Sequence, residues 1–96
     1  MSKDDIIKLL QEHRQAWMPF GVKSMAVFGS VARGESQPES DIDILVDFEG
    51  QATFDRYMDL KFYLEDLLER KVDLVTPKAL KPRMRPNVEE EAIYVA

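Results

Sequence analysis

Residues 28 to 43 read F-G-S-V-A-R-G-E-S-Q-P-E-S-D-I-D and join two chemistries that oppose each other. The Gly29-Ser30 turn presents backbone N–H groups and a hydroxyl, which suit phosphate oxygens. Asp41 and Asp43, two residues apart on an extended segment, project to the same side with roughly 6 to 7 Å between their backbones. Carboxylates repel phosphate unless a cation stands between them, and a hard divalent ion such as Mg²⁺ is the usual solution for clustered oxygen ligands. A third acid, Asp73 in K-V-D-L-V, joins the pair if its strand neighbours theirs.

Each feature also has a plainer explanation. Acids two apart on a strand discourage aggregation at a solvent-facing edge. Glycine ends strands and serine caps the helices that follow. Arg33 fits a surface position as well as it fits a triphosphate, which its fork of donors would grip. Asp47 shares the face of Asp41 and Asp43 but lies beyond Leu45, toward the strand's far end, with no expected metal role.

The elements that must position these residues follow from hydrophobic spacing. Ile6, Leu10, His13 and Trp17 form the stripe of an amphipathic helix over residues 3 to 18, ending near Pro19 and Gly21. Lys23 to Phe28 is predicted as a short buried strand, followed by a helical turn from Ser30 to Arg33 and a polar loop from Glu35 to Ser40. From Asp41 to Phe48, the apolar Ile42, Ile44, Val46 and Phe48 alternate with a face that begins with two acids, a strand pattern. A second helix is expected from Thr53, its N-cap, to Arg70, burying Phe54, Tyr57, Leu60, Leu64, Leu67 and Leu68. Lys71 to Val75 is predicted as a third strand, and N-V-E-E-E-A-I-Y-V-A as a closing helix capped by Asn87. The expected fold is α/β (α+β): a three- to four-stranded mixed sheet with helices packed on one face.

With these residues in place, G-S-x-A-R-G followed by S-D-x-D resembles the polymerase-beta-type nucleotidyltransferase superfamily. The short length is similar to that of the minimal nucleotidyltransferases, the antitoxin partners of HEPN-type toxins. The likeness runs from the first strand through Val72 to Val75, and the tail A-I-Y-V at 92 to 95 is also similar. The resemblance implies that Asp41, Asp43 and Asp73 bind metal, two Mg²⁺ ions in the two-metal scheme. It also implies that Gly29 and Ser30 hold the phosphates of ATP, with Arg33 a candidate for the same role, and that Asp73 assists deprotonation. The implied reaction moves AMP from ATP to a hydroxyl of a partner HEPN toxin and inactivates it. The competing expectation is a non-catalytic antitoxin that neutralises its toxin by occlusion.

Composition narrows the alternatives. At 96 residues the chain is expected to form one minimal nucleotidyltransferase domain over 1–96, with little room for a separate acceptor-binding domain. Its net charge of -5 argues against direct nucleic-acid binding. Lys78, Lys81, Arg83 and Arg85 form a basic stretch without interleaved aromatic residues, which suits a solvated or partner-facing surface better than a nucleic-acid groove. The apolar runs are too short for a membrane span, and the charged start M-S-K-D-D is unlike a secretory signal, so a cytoplasmic location is expected. With no cysteine and one histidine, the usual zinc ligand sets are excluded. His13 and Trp17 are expected in the core or facing a partner, and Tyr57, Tyr63 and Tyr94 in packing roles.

Overall fold

A computed structural model describes residues 1–35 and 37–96. Ser36, in the polar loop expected between Glu35 and Ser40, lies outside the described residues. The chain begins with helix α1 (Lys3–Glu12), whose first turn is closed by reciprocal bonds between Ser2 and Asp5. The single helix expected to residue 18 is interrupted at His13, and a short α2 (Arg14–Trp17) follows. Ile6, Leu10 and Trp17 are fully buried, and the Trp17 indole donates to the Leu10 carbonyl at 2.9 Å. His13 is only partly buried and turns its Nδ1 to the Leu9 carbonyl.

Strand β1 (Val22–Phe28) runs into the four-residue α3 (Gly29–Ala32), and β2 (Ile42–Phe48) returns antiparallel to β1. The long helix α4 (Phe54–Leu68) is capped by the Thr53 side chain and crosses over to β3 (Val72–Val75), which pairs parallel to β2. Leu60, Leu64 and Leu68 form its buried stripe, whereas Phe54, expected inside, is 74% exposed because it sits one turn before the helix reaches the sheet. Tyr57 anchors α4 to β3 through its hydroxyl, which donates to the Leu74 carbonyl.

The C-terminal segment departs from its expected form. Helix α5 spans Arg85–Glu91 with Pro86 in its first turn, so Asn87 lies inside the helix and is not its cap. The chain then extends as β4 (Ile93–Tyr94), antiparallel to β1, and Tyr94 is 57% exposed on this edge strand instead of packed. The completed sheet has the order β3-β2-β1-β4.

One face carries the main core, where Met25, Val27, Ile42, Ile44 and Val46 meet Ile6, Leu10, Trp17 and the α4 leucines. The alternate residues of the strands point the other way, and there Phe28, Leu45 and Val75 pack against Leu80, Val88 and Ala92. The larger helices therefore cover one face, and the C-terminal segment lies over part of the second. The acids belong to that second face.

Candidate active site

The parallel register of β2 and β3 sets Asp43 directly beside Asp73. Both alternate with buried residues, Ile42 and Ile44 on one strand and Val72 and Leu74 on the other, so the same pattern that builds the core turns both acids to the opposite face. Asp43 is partly buried and Asp73 is exposed at the sheet's edge. Asp41 precedes the first residue of β2 and is exposed. Arg70 steadies the approach to it by donating to the carbonyls of Gln37 and Ser40.

Burial, followed by the charges of Asp73 and Asp41, pushes the Asp43 carboxyl up to about 6. A hydrogen bond between Asp43 and Asp73 acts in the same direction, and Arg33 opposes it weakly. The cost of that repulsion falls on Asp43, which burial shields from solvent.

Gly29 closes over Asp43. Its φ is +71, a left-handed conformation that favours glycine, and a Cβ there would stand 2.1 Å from Asp43 Oδ2. The turn can lie against the carboxylate only because no side chain intervenes. The Gly29 N–H donates to Glu91 Oε1 at 3.0 Å. Arg33, one residue past α3, donates through Nη1 to Glu91 Oε2 at 3.0 Å and through Nε to Glu35 Oε1 at 2.8 Å. Those partners, Glu35 first and then Glu91, raise the pKa of the guanidinium.

A cavity of about 760 Å³ opens beside these groups. Gly29, Arg33, Asp43, Asp73 and Glu91 line its polar side, and Phe28, Val75, Leu80, Met84 and Val88 its apolar side. The structure thus gathers Gly29, Arg33, Asp43 and Asp73 at one cavity, while Asp41 and Ser30 stand outside its lining. Glu91 and the apolar wall were missed in the sequence. The available signal was helical phase, because Glu91 follows the buried Val88 by three residues and so shares its face of α5.

The donor set consists of carboxylate oxygens, which fits a hard divalent cation and does not fit zinc or a soft metal. The raised Asp43 carboxyl has the same physical origin, since close acids favour either a proton or a cation. Among the described residues, no three acidic or histidine side chains stand close enough together to hold a metal ion as they lie. The assembled element is the Asp43/Asp73 pair. Among those residues, too, no helix is long and apolar enough to cross a membrane.

Comparison with known proteins places this geometry among relatives. A family model for the nucleotidyltransferase domain matches residues 6–95. Protein adenylyltransferase MntA of Thermococcus cleftensis is 40% identical over 96 residues, covering 99% of this chain and 97% of that protein. A solved structure described as a minimal nucleotidyltransferase is 40% identical, with a TM-score of 0.77 over 97% of this chain and 95% of that one. A crystal structure of a toxin–antitoxin with AMP-PNP is 25% identical, with a TM-score of 0.72 over 100% of this chain and 73% of that one.

Proposed function

The chain belongs to the nucleotidyltransferase domain family, and from that premise we propose that it is a Mg²⁺-dependent adenylyltransferase antitoxin acting on a HEPN-type toxin. The observation that carries the reading is the placement of Asp43 beside Asp73, with the Gly29 turn closing over Asp43. Two further facts support it: a relative that shares nearly its full length is named a protein adenylyltransferase, and a structural neighbour is a toxin–antitoxin with AMP-PNP.

In this reading residues 1–96 act as one minimal nucleotidyltransferase domain in the cytoplasm. Asp43 and Asp73 form the centre of the metal site, and Asp41 completes it by turning its exposed side chain inward. The chemistry that two Mg²⁺ ions supply when bound is charge neutralisation between carboxylates and triphosphate, and a lowered pKa for the acceptor hydroxyl. Gly29, Ser30 and Arg33 hold the phosphates of ATP and fix the α-phosphorus in line with the acceptor. A bond forms between the acceptor oxygen and that phosphorus, the bond to the bridging oxygen breaks, and pyrophosphate departs. Asp73, on the open edge of the sheet, takes the hydroxyl proton. The apolar wall of Leu80, Met84 and Val88 excludes water from one side of the reacting groups.

Co-expression with a HEPN-type toxin, followed by intact mass spectrometry of that partner, tests the proposal. The partner should gain one or more AMP units with the wild type and none with Asp41→Asn, and should stay inactive after the antitoxin is removed. An unmodified partner that regains activity once the wild type is stripped away would favour neutralisation by occlusion.

A further inference from the structure

Two groups in the cavity have the chemistry to grip a phosphate, the Gly29 N–H and the Arg33 guanidinium, and both are engaged by one carboxylate. Glu91 spans them with its two oxygens, each at 3.0 Å, in the forked geometry that a phosphate would adopt. Its side chain is 23% exposed, held at the junction between α5 and β4. With Glu91 in this position, the cavity lining gathers Asp43, Asp73, Glu90 and Glu91 against Arg33 and Lys81, and Arg33 is already shared with Glu35. A polyanion meeting that wall is repelled on charge and finds its donors taken.

We propose that Glu91 is an internal stand-in for phosphate, a carboxylate latch that a nucleotide's phosphate must displace from Gly29 and Arg33 before it can bind. The inference rests on the nucleotide site proposed above and adds a gating residue to it. Its physical basis is competition: the latch satisfies a backbone N–H and a guanidinium that would otherwise lie against a carboxylate-rich cavity, and an incoming phosphate must offer the same bonds.

The test is calorimetric titration of α,β-methylene-ATP, which cannot be cleaved at the α-phosphorus, with Mg²⁺ into the wild type, Glu91→Gln and Glu91→Ala. Both variants should bind about three- to tenfold tighter, the range expected for removing one partly exposed charge pair from the competition. Adding Arg33→Gln to Glu91→Gln should erase most of the gain, because the freed cation is its main source. A positioning role for Glu91 predicts the reverse sign. Equal or weaker binding by both variants, with the wild type still binding, overturns the latch and leaves the nucleotide site standing. No binding by any of the three proteins removes the site and the latch together. Glu91→Gln keeps the shape of the side chain, so the comparison holds even if the alanine variant loosens α5.

Discussion

Replacing Asp43 by asparagine removes a charge that burial, Asp73 and Asp41 all disfavour, while keeping a side chain that can donate to Asp73. The carboxyl is pushed from 3.8 to about 6, chiefly by burial and then by Asp73 and Asp41. Between those values the folded protein binds more protons than the unfolded chain, so stability falls as pH rises from about 4 through about 6. At about 1.4 kcal/mol per pH unit, that interval bounds the cost of the ionised carboxylate near 3 kcal/mol. Asp43 is only partly buried, and solvent screening reduces the figure to about 1 to 1.5 kcal/mol. In chelator, Asp43→Asn should therefore melt about 5 °C above the wild type at pH 7.5 and level with it at pH 4. Calorimetric or circular-dichroism melts at the two pH values make the comparison. A variant less stable than wild type at pH 7.5, or a gap of equal size at both, would refute the electrostatic reasoning and make Asp43 a structural residue.

Gly29→Ala should cost about 1 to 3 kcal/mol in denaturant titrations, since the added Cβ meets Asp43 at 2.1 Å in a left-handed backbone. Arg56→Ala should lower stability by about 2 to 3 kcal/mol in urea, because the guanidinium donates to the carbonyls of Phe20, Gly21, Gln51 and Glu49 and lies over the Phe48 ring. Lysine at the same position should recover little of that loss, having no planar fork. Phe54→Ser should leave the urea midpoint nearly unchanged, within about 0.5 kcal/mol, because that ring faces solvent.

What could be read from the sequence was whatever depends on spacing. Strict alternation in Ile42 to Phe48 yields both the strand and the orientation of Asp43, and Leu60, Leu64 and Leu68 announce the inner side of α4. The meeting of Asp43 with Asp73 was legible only conditionally, since strand neighbours are a tertiary choice that no local pattern fixes. The break at His13 and the exposure of Phe54 both fall at helix ends, which hydrophobic spacing alone does not fix. The C-terminal segment was least legible: A-I-Y-V has the apolar content of either element, and its strand form comes from the open edge of β1. The role of Glu91 depends on that placement and so stayed hidden with it.

The parallel pairing of β2 with β3 also bears on the order of folding events. The antiparallel neighbour β1 reaches β2 across residues 29–41, whereas the parallel neighbour must wait for a longer crossover over residues 49–71, which includes the whole of α4. Closing that longer loop carries the larger entropic cost, and the pairing it allows sets Asp73 beside Asp43. On that ground β1 and β2 should pair before the two acids meet. Cations or mild acidity during refolding should speed that last docking step, while the early pairing of β1 with β2 proceeds at an unchanged rate.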